Sequence, residues 1–147
     1  MINIKPLKAY TDNYIWLLET NEEVSVVDPG DAKPVLDYLS KTNKNIRDIF
    51  ITHHHFDHTA GVPELENIIS GSIYGPKNSY ELINEKVTQG DTLSSLGIKF
   101  EIIEVPGHTL DHIAFYNEEN DILFCGDTLF AGAVSYTHLT LPTRYRV

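Results

Sequence analysis

Residues 52–58 read Thr-His-His-His-Phe-Asp-His. A metal ion needs several nitrogen and oxygen donors converging on one point. His53 and His55 are two apart, so on an extended segment their side chains point the same way. Asp57 and His58 follow where the chain can turn and present donors from another side. Four potential ligands therefore fall within six residues. A solvated polar loop or a histidine-rich tract is the simpler alternative. The apolar segments on both sides of the run argue against it, and its place in mid-chain argues against an affinity tag.

Two further donors are distant in sequence. Pro106-Gly107-His108-Thr109 follows an apolar run that ends at Val105, and Cys125-Gly126-Asp127-Thr128 follows one that ends at Cys125. Alone, His108 reads as a turn histidine and Asp127 as a cap. Beside the 52–58 run both become ligand candidates. His53, His55 and His108 suit one zinc. Asp57 and His58 suit a second metal, and Asp127 can bridge, since a carboxylate has two oxygens. The second ion is then one ligand short. His54 should face away from the ligands, and His112 and Asp28 are expected to support them.

Other chemistries find little footing. The chain has no Gly-x-Ser-x-Gly nucleophile elbow and no Gly-x-x-x-x-Gly-Lys phosphate loop. Cys125 as a nucleophile would need a histidine of its own; after Ile122, Leu123 and Phe124 it reads as a small buried hydrophobe.

These donors must be held by strands and helices. Strands are expected at 2–7, 14–19, 24–27, 46–51, 72–74, 98–105, 113–116 and 122–125, with a turn at 118–121. Asp31 reads as the N-cap of a helix ending near Ser40, with Pro34 in its first turn and Val35, Leu36 and Leu39 on one face. Further helices are expected at 62–69 and 78–85. Each donor then lies just after a strand, where loops gather over a rigid scaffold.

The 147 residues fit one domain, and 41% hydrophobic with 22% charged residues supports a real core. No apolar run approaches the roughly 18 residues of a membrane span, and no secretory signal is visible at the N-terminus. One cysteine fits a reducing compartment, so a cytoplasmic protein is expected, with a monomer as the default expectation. A formal charge of -10 argues against nucleic acid as a partner.

The 52–58 run with Gly61 resembles the His-x-His-x-Asp-His signature of the metallo-β-lactamase fold. More narrowly, Tyr10 to Trp16, Val27 to Ala32, Pro106 to Ile113 and Phe124 to Phe130 resemble the glyoxalase II (hydroxyacylglutathione hydrolase) family, with Asp111 where glycine is usual. The resemblance implies an α/β (α+β) αββα sandwich. It implies hydrolysis of S-(2-hydroxyacyl)glutathione, chiefly the lactoyl thioester, to glutathione and a 2-hydroxy acid. It implies metal ligands at His53, His55, Asp57, His58, His108 and Asp127, with catalytic roles for Asp57 and Asp127. Two divalent ions are implied, zinc first, with iron or manganese possible for such donors. A persulfide dioxygenase resembles the same family, with one iron on His53, His108 and Asp127. An inactive fragment is the third reading.

The resemblance covers about residues 1–132. The family's later basic substrate-binding segment, its last metal histidine and its helical C-terminal domain have no counterpart. Residues 134–147 fit nothing in the family. The expectation is a truncated catalytic domain over 1–133 and a read-through tail, so His138 is not recruited as a ligand.

Overall fold

A computed structural model describes residues 2–9, 13–77, 80–105 and 112–125. Two sheets face each other. The first is six-stranded in the order β1 (Asn3–Ala9), β2 (Asn13–Glu19), β3 (Glu23–Val27), β4 (Asn45–Phe50), β5 (Ile73–Pro76), β6 (Glu85–Val87). The second is four-stranded, ordered β10 (Ile122–Phe124), β9 (Ile113–Asn117), β8 (Ile98–Glu104), β7 (Thr92–Ser95). The second sheet is antiparallel throughout, whereas β3, β4, β5 and β6 run parallel.

Helix α1 (Ala32–Thr42) makes the crossover between β3 and β4. Its N-cap is Asp31, whose carboxylate accepts the Lys33 N–H at 3.1 Å. Asn43 closes it in the left-handed region at φ 61, with its N–H on the Leu39 carbonyl. Val35 is buried, while Leu36 is exposed, so the apolar face is narrower than the sequence pattern. The Tyr38 hydroxyl donates to the buried Glu19 carboxylate, which also receives Lys44 at 3.2 Å.

Alternation along the strands divides the core. Ile15, Leu17, Val24, Val26, Ile49 and Ile51 turn toward α1 and α3 (Val62–Leu65). Leu18, Val27 and Phe50 turn the other way, onto Phe100, Ile102, Phe115 and Phe124 of the second sheet. Phe50 stacks on Phe115 at 4.7 Å and meets Phe100 edge-on at 5.3 Å. A strand buried on both faces is what a central parallel position demands. The described residues form a helix–sheet–sheet arrangement; among them, no helix covers the outer face of the second sheet.

Three expectations are corrected. No helix forms at 78–85 in the described part: Tyr80 to Asn84 is turn and coil, and Glu85 opens β6. The helix expected at 62–69 shrinks to α3 followed by a 3-10 turn over Glu66–Ile68. Strand β7 was not foreseen; it forms a hairpin with β8 through Leu96 and Gly97, both at positive φ. Residues 134–147 and the ligand candidates His108 and Asp127 lie outside the described residues.

Candidate metal centre

Strands β3 and β4 are parallel neighbours, so the chain leaves both at the same edge of the sheet. Asp28 follows the first and Thr52 to His58 follow the second. The second sheet delivers its own ends to this place. The Ile113 N–H donates to the Thr52 carbonyl at 3.0 Å, and the Val105 N–H to the His112 carbonyl at 2.9 Å. Val105 and Cys125, from which the chain leads to His108 and Asp127, thus belong to the same end of the molecule.

Residues 53–55 are irregular, and α2 (Phe56–Thr59) is a single turn. The Thr59 hydroxyl donates to the His55 carbonyl at 3.2 Å, and the His58 N–H to the same carbonyl at 2.9 Å. This tight turn folds His58 back toward His53. Gly30 makes the fold-back possible. A Cβ on it would collide with the Asp57 backbone carbonyl, and one on Gly61 would meet Pro29 O and Ala32 N at 2.6 Å. The two loops are interlocked.

His53 and His58 are buried, and their ring centroids lie 4.3 Å apart. With Asp28 they form a group whose donor atoms all lie within 4.8 Å of one another. His55 flanks it, its ring 4.8 Å from His53. The Asp57 side chain is 48% exposed, with Oδ2 3.8 Å from His58 Nε2. The structure therefore gathers all four residues of the run that sequence reasoning selected, and adds Asp28 to the tightest part. His54 is exposed, as expected of a side chain between ligands. His112 is fully buried; its ring stacks on His53, and its Nε2 donates to the Cys125 carbonyl at 2.9 Å. Cys125 is buried in an apolar cluster with Ala114, Tyr116 and Leu123.

Asp28 sits at φ 51, in the left-handed region that few non-glycine residues enter. Its N–H donates to the Phe50 carbonyl at 2.8 Å, which holds it beside β4. The sequence signal is Asp28-Pro29-Gly30, a turn after a strand, from which Asp28 is expected to support the ligands.

The imidazoles of His53, His55 and His58, with the Asp57 carboxylate beside them, are the donor types of a zinc, iron or manganese site. The residues present fit a divalent cation.

Known proteins share this fold. The chain matches the Metallo-beta-lactamase superfamily over residues 11–146, and it belongs to that superfamily. Within it, the chain is 49% identical to the hydroxyacylglutathione hydrolase of Pseudoalteromonas translucida, over 90% of this chain and 52% of that protein. It thus spans about half the length of the curated relatives it matches. Among solved structures, it is similar to the B3 metallo-beta-lactamase BLEG-1, with TM-score 0.73 and 22% identity over 88% of this chain and 73% of that one. It is also similar to ETHE1 from Myxococcus xanthus, with TM-score 0.69 and 25% identity over 86% and 57%.

Proposed function

We propose that the protein to which this chain corresponds hydrolyses S-(2-hydroxyacyl)glutathione, chiefly the lactoyl thioester, to glutathione and a 2-hydroxy acid. Such a role would place it in methylglyoxal detoxification in the cytoplasm. One observation carries the reading: His53 and His58, with Asp28, converge at the shared edge of β3 and β4, in a chain 49% identical to a hydroxyacylglutathione hydrolase.

His53, His55 and His108 would hold one divalent ion, and Asp57 and His58 a second, with Asp127 as a further ligand. Zinc is the first choice for such donors. Bound there, the ions would make hydroxide available near neutral pH and polarise the thioester carbonyl. The chain's own groups do the rest. Burial of His53 and His58 keeps water away from the back of the site. Asp57 stands on its open side, where its carboxylate can also orient the attacking hydroxide. Addition of hydroxide to the carbonyl forms a C–O bond, and collapse of the adduct breaks the C–S bond, leaving a carboxylic acid and a thiolate. Its parent thiol has a pKa of about 8.5 if it behaves like free cysteine, so it leaves with little help from an acid. The substrate is a small anion and the chain carries -10, so recognition requires a local basic patch.

Zinc-loaded protein is assayed with S-lactoylglutathione. Turnover that falls at least about a hundredfold in His53→Ala and in Asp57→Ala supports the reading. One iron per chain with thiol-dependent oxygen uptake and no thioesterase activity would replace it by the dioxygenase.

A further inference from the structure

Asp28 falls within the tight donor group, yet its carboxylate is already engaged. Oδ1 accepts the Thr52 N–H at 2.8 Å. Oδ2 accepts the Thr52 hydroxyl at 2.7 Å and lies 3.1 Å from His58 Nδ1. All three groups are buried. An ionised carboxylate only accepts hydrogen bonds, so the His58 proton must be on Nδ1. The Thr52 hydroxyl has one proton, and Asp28 receives it. Thr52 Oγ1 is also 2.8 Å from His53 Nδ1. With its proton spent, the oxygen can only accept, so His53 also carries its proton on Nδ1.

We propose that Asp28 and Thr52 act together as a positioning pair that fixes the Nδ1–H tautomer of both His53 and His58 before any metal arrives. The consequence is directional. The Nδ1–H tautomer puts each ring's lone pair on Nε2, the nitrogen that would ligate a cation. The carboxylate acts on His58 directly and on His53 through one hydroxyl, so one residue sets ligands assigned to two different ions. The pair rests on the metal-binding reading of the site but not on any substrate. The left-handed backbone at Asp28, φ 51, is consistent with a residue held in place for such a task. Asp28 is thereby a residue behind the ligands and not a ligand.

Asn in place of Asp28 makes a sharp test. The Thr52 N–H keeps the amide oxygen on its side, so the amide nitrogen replaces Oδ2. It then donates to His58 Nδ1 and to Thr52 Oγ1. The Thr52 hydroxyl turns and donates to His53 Nδ1. Both rings are pushed to the Nε2–H form, which blocks the ligating nitrogen.

Long-range 1H–15N spectra of the metal-free 147-residue chain, at about pH 8 where ordinary imidazoles are neutral, report the tautomers. His53→Gln and His58→Gln spectra assign the rings. The expected result is Nδ1–H on both in the native chain and Nε2–H on both in Asp28→Asn, with zinc affinity lowered about 10- to 100-fold. Thr52→Val should release His53 alone, and Thr52→Ser should restore it; this pair decides the matter if Asp28→Asn fails to fold. Nε2–H on either ring of the native chain, free-histidine resonances, or unchanged tautomers in Asp28→Asn with lost zinc would overturn the proposal. The last outcome would make Asp28 a ligand. Loss of thioesterase activity bears on none of these readouts.

Discussion

The imidazole of His112 lies almost parallel to that of His53, with centroids 4.5 Å apart and planes 17° from parallel. Its Nε2–H is fixed on the Cys125 carbonyl at 2.9 Å. His112 precedes β9 and Cys125 follows β10, whereas His53 follows β4. One ring therefore joins the second sheet to the metal loop of the first.

His112→Ala removes this backing and leaves a cavity behind His53. Zinc affinity is expected to fall about tenfold, as for other residues that orient a ligand. His112→Phe keeps the stacking surface and should retain most of the affinity. Competition with a chromophoric chelator measures both. Equal zinc affinity in the alanine variant and the native chain would refute the role.

Gly30→Ala is expected to destabilise the chain by about 3 kcal/mol, because the new methyl group meets the Asp57 backbone and not a yielding side chain. Urea unfolding gives the number. A loss below about 0.5 kcal/mol, the range of neutral surface changes, would show that the two loops separate easily.

A second polar relay lies between the sheets. The Ser25 hydroxyl donates to Ser95 Oγ, and Ser95 to Asp48 Oδ2, each at 2.6 Å; the Ser72 N–H serves Oδ1 at 2.8 Å. All three side chains are buried. Ser95→Ala leaves a buried carboxylate short of a donor, at a cost of about 1–3 kcal/mol. Chemical denaturation should show that loss while zinc affinity stays at the native value.

Tyr38 supplies a pH dependence. Burial, then its hydrogen bond to Glu19 and the nearby carboxylate charge, push its hydroxyl from 10.0 to about 12. The folded chain thus holds the phenolic proton where the unfolded chain has released it. This contribution is intact below pH 10.0 and is lost as pH rises toward about 12. Tyr38→Phe should flatten the fall in stability across that window. An unchanged slope would show that other groups produce it.

Much of this was legible in the residues. Buried central strands such as β4 announced themselves through Ile46, Ile49, Phe50 and Ile51, and the N-cap through Asp31. The 52–58 run marked the site because four donors in one short stretch have few other uses. The β7–β8 hairpin was hidden for a physical reason. Its two-residue turn needs positive φ at both positions, which Asn-Gly would signal. Here Leu96 takes the first at φ 55, and its partly buried side chain packs on the inter-sheet core. Residues 78–85 misled because Tyr80, Leu82 and Ile83 mimic a helical face. In fact Ile83 fills the space over Gly75, and the turn that carries it leads into an edge strand. Asp28 was legible as a support for the ligands from its place at a strand end, but not its partner Thr52, which lies 24 residues away where no local pattern reveals it.

The left-handed backbone at residue 28 narrows what can occupy it. At φ 51, glycine, asparagine and aspartate are the side chains that enter with least strain. Glycine offers no acceptor to Thr52 and His58. Asparagine offers one in place of two and turns a donor toward the rings. Two independent filters, one of shape and one of proton bookkeeping, overlap at a single amino acid. Saturation mutagenesis scored by zinc retention should find position 28 tolerant of aspartate alone, and position 52 tolerant of serine beside threonine.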